Sequence, residues 1–451
     1  MGRYEEALTA YERESAACRE AGDRSAEGAA LLAVGLTLRS LQRSEEAASV
    51  WERAVGIFRM TGDRGSEGVA WAGLGAVLAE SDRTGYTIAA RQQAVAAFRD
   101  AGQPDKEAVF SGELGASLAT AGRHAEAAAA HMRAAELHQR LGHRAKEGPA
   151  LRNVGLALED AGQYEEAIAW YSRAAAVFRE TGDHQDEADV LRRVAGALES
   201  VGRAEESLVM WQRSVACSQQ SGDDPYEAVG HYGLGQALME GARHDEALSA
   251  FRRAVDLVRQ RGMRGLEATM LRELSRAQLF LGLTEQAVAT LARAVTCLGE
   301  EGDHEAQGEA LFDLGKALVT AGRCEQAAIV ALRCADVSRR AHRPDLEQQA
   351  LMEIGVDIAN AGRPEETLPV FRRLHEAYAA AGDTEKEGWG LVLVAGALTD
   401  AGRFAEAIPA NHQAADFCRA TGNTLGTDTA LSQLIKAELG LRLRAQRGGT
   451  P

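Results

Sequence analysis

A glycine-centred turn returns every 40 residues, at Gly22, Gly62, Gly102, Gly142, Gly182, Gly222, Gly262, Gly302, Gly382 and Gly422, with no residue inserted or lost between beats. Only His342 breaks the series. A fixed period of this size describes stacked units, each burying its apolar face against its neighbours. Length alone, 451 residues, would suggest about three domains. The repeat overrides that prior, because such a stack has no separate cores to divide.

Each unit splits at a second turn, seen in Ala121-Gly122-Arg123, Ala161-Gly162-Gln163, Ala321-Gly322-Arg323 and Ala401-Gly402-Arg403. The two segments between turns are about 17 residues, or about 25 Å each as helices. The first, helix A, carries Leu151, Val154, Gly155 and Leu158, the i, i+3, i+4, i+7 stripe of an amphipathic helix. The second, helix B, carries Ala167, Tyr171, Ala174 and Phe178, again on one face. Glycine suits a helix ending in the left-handed region. Asp23, Asp63, Asp183, Asp223, Asp303 and Asp383 follow the inter-unit turn and suit an N-cap. No segment has a strand pattern. The fold class predicted is all-α, a solenoid of antiparallel helix pairs.

Helix A places Gly35, Gly75, Gly115, Gly155, Ala195, Gly235, Ser275, Gly315, Gly355 and Ala395 at one site. Mid-helix glycine costs about 1 kcal/mol relative to alanine, so ten small residues in register need a compensating contact. The expectation is close approach of the neighbouring helix backbone. Helix B has its own small site, from Ala47 and Thr87 to Ala407. The helix A series stops at Ile435.

These residues resemble the tetratricopeptide repeat in its 40-residue variety: Leu151, Val154-Gly155, Leu158, Ala167, Tyr171 and Ala174 fall on the motif sites. The junctions Gly22 to Gly28 and Gly62 to Gly68 are similar to those of Pins-type adaptors and of repeat arrays in actinobacterial regulators. The resemblance covers essentially the whole chain and implies a right-handed superhelix. Departures from the pattern occur at Ser81 to Gly85 and at Ala341 to Pro344. The organisation read from the register is an unpaired helix B over 1–20, ten helix pairs over 24–420, a capping helix over 424–446 and a flexible tail over 447–451. The unpaired start predicts that Tyr4, Leu8 and Tyr11 are partly uncovered; a natural beginning upstream of Met1 is the favoured account, beside an end that docks on a partner or an isolated helix that is tolerated.

Composition excludes several functions. A formal charge of −16 argues against general nucleic-acid binding, which requires a basic surface to displace counterions. No apolar run is long enough to span a bilayer, and the opening residues lack the basic and apolar regions of a signal peptide. Cys18, Cys217, Cys297 and Cys418 occupy apolar sites late in helix B and read as reduced core thiols, which fits the cytoplasm. There is no P-loop, HExxH, nucleophile elbow or metal-spaced Cys/His set, so no enzyme, cofactor or metal is expected. His124, His131 and His138 recur every seven residues, about 10.5 Å apart, and read as solvated. Glu27, Glu67, Glu107 and their equivalents recur early in helix A and read as partners of the helix dipole.

The resemblance implies a concave surface lined by helix A. Its early positions, Leu32, Leu36, Ala72, Ala76, Gly112 and Ala116, are small or apolar. Later ones are Arg152, Asn153, Arg192, Arg193, Tyr232, Gln236, Arg272, Arg276, Phe312 and Lys316. A basic, partly aromatic stripe on an acidic protein predicts capture of an acidic peptide by guanidinium groups. The competing reading is that Glu159, Asp189 and Glu199 neutralise the stripe. The function expected is a non-enzymatic protein-binding scaffold; the alternative is a peptide-sensing module of a larger regulator. Oligomeric state is not legible in the sequence.

Overall fold

The computed structural model describes residues 2–81, 83–222 and 224–446. The described residues form 22 α-helices and no strand. The expected tail, 447–451, and the expected cap Asp223 lie outside the described residues. Helices run α1 (Gly2–Glu20), α2 (Arg24–Ser40), α3 (Ser44–Thr61), α4 (Arg64–Glu80), α5 (Thr84–Asp100), α6 (Pro104–Thr120), α7 (His124–Arg140) and α8 (Arg144–Asp160). Then come α9 (Tyr164–Thr181), α10 (His184–Ser200), α11 (Ala204–Ser221), α12 (Asp224–Glu240), α13 (His244–Gln260), α14 (Arg264–Phe280) and α15 (Thr284–Glu301). The remainder are α16 (His304–Thr320), α17 (Cys324–Arg340), α18 (Pro344–Asn360), α19 (Pro364–Ala381), α20 (Thr384–Asp400), α21 (Phe404–Ala420) and α22 (Thr424–Gln446). Even-numbered helices take the helix A register and odd-numbered ones helix B.

Packing divides the chain into two compact units, residues 1–230 and 231–451. The sequence had implied no internal division. Within each unit the helices other than α12 pack on their neighbours in the chain, the arrangement expected of stacked repeats.

The turns explain the constant period. Asp23, Asp63, Asp183, Asp303 and Asp383 each accept a hydrogen bond from the backbone N–H three residues on, at 3.0–3.2 Å. At the preceding position, glycines such as Gly62 and Gly302 sit at φ +74° and +76°. The two irregular stretches keep register. Thr84 opens α5, and Pro344 occupies the first turn of α18, where its missing N–H costs nothing. His342 takes the left-handed conformation itself, at φ +56°. An L-residue there carries about 1–2 kcal/mol of strain. His342→Gly should therefore raise the stability of the α17–α18 junction by roughly 1 kcal/mol, read as slower amide exchange across both helices.

The small residues of helix A have a different cause from the one expected. A Cβ on Gly155 would lie 2.5 Å from the Tyr171 ring, one on Gly35 2.5 Å from the Trp51 indole, and one on Gly235 or Gly355 2.6 Å from Phe251 or Phe371. The glycine makes room for a ring from the paired helix B, and backbone approach is not the reason. The ring sits in a slot that recurs once per unit. Its occupants are Trp51, Arg91, His131, Tyr171, Trp211, Phe251, Leu291, Ala331, Phe371 and Asn411. Where the occupant is Ala331, Ile354 from α18 is the side chain facing Gly315 instead. The small helix B site, from Ala47 to Ala407, is 0–2% exposed throughout.

Two other expectations are corrected by burial. His131 and His138 are not solvated: they are 4% and 6% exposed. His131 is a slot occupant, facing Gly115, and burial pushes its ring down to about 4. His124 is half-buried, 3.8 Å from Asp160. Leu8 is buried against Val34, Leu38 and Trp51, whereas Tyr4 and Tyr11 are exposed.

The recurrent helix A acids are more than dipole partners. Glu67 is 2% exposed and accepts from Arg59 and Arg64 at 2.7 Å, and from the Trp71 indole at 3.3 Å. Glu107 is held by Arg99 and Arg133 at 2.9 Å, and Glu267 by Arg259 and Arg293 at 3.2 and 2.6 Å. For Glu107 and Glu267 one arginine comes from the preceding helix B and the other from the following one, so these acids join successive pairs, whereas Glu67 takes Arg59 from the preceding helix B and Arg64 from its own helix. Burial pushes the Glu67 and Glu107 carboxyls up, but the arginine hydrogen bonds outweigh it and hold both below the ordinary range.

Candidate functional site

Helix A turns two apolar faces inward, toward its own helix B and toward the preceding pair. The third face stays half-exposed, at the positions of Arg152, Asn153 and Leu156 in α8 and of Arg272, Glu273 and Arg276 in α14. Ten residues were predicted to form a binding stripe there. Arg152, Asn153, Arg192 and Arg193 belong to unit 1, and Tyr232, Gln236, Arg272, Arg276, Phe312 and Lys316 to unit 2.

In unit 1 the cations are already engaged. Arg152 donates to Asp186 of α10 at 2.6 Å, and Arg192 to Asp189 at 2.6 Å. Arg193 lies 3.4 Å from Asp189 and 3.8 Å from Glu159, which also accepts from the Tyr171 hydroxyl. Asn153 is half-buried beside them. Glu159 and Asp189 thus neutralise the stripe. Glu199 does not: it accepts from Ser207 at 2.7 Å and from the Trp211 indole at 2.8 Å.

Unit 2 repeats the arrangement one helix A onward. Arg272 of α14 donates to Asp313 at 2.9 Å and Glu309 at 2.8 Å, both on α16. Lys316 of α16 reaches Glu353 and Asp357 of α18 at 2.9 and 3.8 Å, and lies 5.6 Å over the Phe312 ring. Arg276 is bound to Glu273 of its own helix at 2.6 Å. Gln236 donates to the Tyr232 hydroxyl at 3.2 Å, and the Tyr232 ring stands edge-on to Phe251. Burial pushes the Asp313 carboxyl up despite the pull of Arg272. The face is therefore a run of half-buried ion pairs spanning adjacent A helices, not a surplus of positive charge.

What sequence reasoning underrated lies earlier in unit 1. On the same face of α2 and α4, Leu36 is 51% and Val69 36% exposed. They border a recess of about 240 Å³ with Leu32, Ala72, Gly73, Ala76 and Phe110, rimmed by Arg39 and Glu113. Its depth has a definite cause. A Cβ on Gly73 would lie 2.5 Å from the Trp51 indole, so Trp51 is clasped between Gly35 and Gly73, leaving no side chain above it. A second apolar recess, of about 650 Å³, lies between α3, α4 and α5, beside Trp71 and the exposed Tyr86. The signal available in the sequence was Gly73 itself, a second helical glycine beside the register glycine.

Among the described residues no group of His, Cys, Asp and Glu is arranged to hold a metal ion, and no helix is long and apolar enough to cross a membrane. All six cysteines are free; Cys297, Cys324, Cys334 and Cys418 are buried, and burial pushes the Cys334 thiol up to about 11.

Paired helices in a 40-residue register, with a slot glycine facing a helix B ring, define a helical-repeat array. Residues 106–180, 146–208 and 186–260 match the tetratricopeptide repeat family. Residues 106–260 are thus tetratricopeptide repeats, and the same unit continues in register on both sides. No curated protein sequence matches the chain. Among solved structures, the chain is similar to a signal transduction ATPase with a tetratricopeptide repeat sensor from Pyrococcus horikoshii, at 13% identity, TM-score 0.48, over 76% of this chain and 55% of that one. It is also similar to the apo form of RapI, at 13% identity, TM-score 0.42, over 66% of this chain and 99% of that one. A third is the apo form of the quorum sensor NprR from B. thuringiensis, at 13% identity, TM-score 0.41, over 77% and 97% of the two chains.

Proposed function

We propose that this chain is a non-enzymatic interaction scaffold of the cytoplasm, regulatory in role, that docks a peptide or protein segment on the half-exposed face of its A helices. One observation carries the reading: an apolar recess opens to solvent at Leu36 and Val69 on a face that is charged further along. Exposed apolar area with a polar rim is the signature of an interaction surface. An apolar side chain of the partner enters the recess over Trp51, and the rest of the segment runs toward α8 and α10. There Arg152, Arg192 and Arg193 exchange their present carboxylates for those of an acidic partner. Because that exchange only replaces one ion pair by another, charge selects the partner while the apolar anchor supplies most of the affinity.

Selection of a displayed random-peptide library on the full chain tests this. Enriched peptides should share one apolar anchor. Leu36→Asp with Ala76→Arg should weaken them at least about tenfold, a loss of about 1.4 kcal/mol. Arg152→Glu with Arg192→Glu should instead shift preference away from acidic flanks and leave the anchor in place. Enriched peptides that bind the Leu36→Asp, Ala76→Arg variant as tightly as the parent would reject the assignment.

A further inference from the structure

Helix α22 is apolar on two sides but covered on one. Gly426, Ala430, Leu434 and Ala437 are buried against α20 and α21. On the opposite side Leu431, Ile435 and Leu439 are 36%, 67% and 56% exposed, in a stripe of spacing four. A helix that is apolar all round is ordinarily enclosed. The slot register shows that the exposed side is not shaped for another helix B of the repeat kind. Ile435 stands at the position that is Gly, Ala or Ser in all ten earlier A helices, so a β-branched side chain fills the space a ring would take.

The stripe is self-complementary. Asp428 and Arg442 are both exposed and flank it on the same face, each seven residues from Ile435. Two such helices crossing antiparallel at Ile435 bring Leu431 of each against Leu439 of the other. The same crossing sets Asp428 of each against Arg442 of the other. Reversing the direction of one helix would instead stack Asp428 on Asp428 and Arg442 on Arg442. We propose that the outer face of α22 is an isologous contact between two copies of this chain, centred on Ile435 and closed by two reciprocal Asp428–Arg442 pairs. Such a two-fold contact uses the same patch on both copies and is self-limiting at a dimer. Seven residues of helix rise about 10.5 Å, so the charge pairs lie about 21 Å apart at the ends of the apolar centre. A contact of two helices falls at the small end of specific interfaces, below about 1,200 Å². The dimer is therefore weak and concentration-dependent.

Sedimentation velocity of the full chain, from about 1 µM to about 300 µM, is the test. The parent should shift from monomer to dimer across that range. Ile435→Asp should weaken association at least about 100-fold, with far-UV circular dichroism unchanged because the side chain is exposed. Asp428→Arg or Arg442→Asp alone sets like charges together and should weaken the dimer about tenfold or more. The two together restore opposite charges and should return it to within about threefold of the parent. This rescue depends on register and cannot arise from a general loss of folding. A parent chain that stays monomeric overturns the proposal and leaves the face to a different protein. A dimer indifferent to Ile435→Asp, or charge reversals that fail to rescue each other, overturns it as well.

Discussion

Replacing Tyr171 by alanine should cost about 3–5 kcal/mol, the usual range for deleting a buried aromatic ring. Tyr171 is fully buried, and its ring occupies the space a Gly155 side chain would need. Gly155→Ala in the parent forces that ring aside, at about 1–3 kcal/mol. In the Tyr171→Ala background the added methyl enters the vacated slot, and its cost should fall to zero or change sign. The coupling between the two positions should then exceed about 1 kcal/mol. Amide exchange in α8 and α9 is the appropriate measurement, because an array of neighbours need not unfold in one step. Additive effects would mean that ring and glycine do not share the slot.

The second large effect is acid sensitivity at α7. Burial pushes the His131 ring down to about 4, whereas an unfolded histidine titrates near 6.5. Below pH 6.5 the unfolded chain binds the proton and the folded chain does not. Stability is thus fully present above about pH 6.5 and falls as the pH drops toward about 4, where the loss levels off. By pH 4.5 the loss should be about 2.5 kcal/mol. The depressed carboxyls of Glu67 and Glu107 add their own loss once the pH falls into the unfolded carboxylate range, at about 4.3, so it is the upper part of the slope, just below about pH 6.5, that belongs to histidine. His138, which burial also pushes down, adds to the slope. His131→Phe should remove most of it, since Phe251 and Phe371 occupy the same slot opposite glycine elsewhere. Exchange rates in α6 to α8, followed against pH in both proteins, decide the matter. An identical pH slope in the variant would refute the account.

The parts of this molecule that were legible in its sequence are those determined within one unit. The 40-residue beat, the two helices, and the caps at Asp23 and Asp63 depend on residues three or four apart, and periodicity exposes them. The slot was half legible. Ten small residues in register announced a close contact, but the contacting atoms lie on another helix, and the ring was mistaken for a backbone. Reading down the 40-residue column from Trp51 to Asn411 would have found it, and would have placed His131 there and not in a spacing of seven with His124 and His138. The stripe was legible as charge but not as pairing. Asp186, Glu309, Asp313 and Glu353 lie 34 to 41 residues from the cations they bind, a separation that only the stacking of one helix A on the next makes short. The apolar side of α22 went unread for a similar reason. Ile435 was noticed as the end of a series, yet its meaning depends on which side of the helix remains open.

The unevenness of the slot column has one more consequence. Trp51, Tyr171 and Phe251 fill their slots with large rings, while Ala331 brings a methyl group and Asn411 a buried amide that donates to Thr399 and to the Ala407 carbonyl. When cohesion passes only from neighbour to neighbour, a chain opens first at its least adhesive joint, however firm the others are. Ile354 makes up for the small Ala331 at its own slot, so the column places the first fraying at the hairpin around Asn411, before those around Trp51 and Tyr171. A fold that repeats faithfully in geometry is in this way graded in durability.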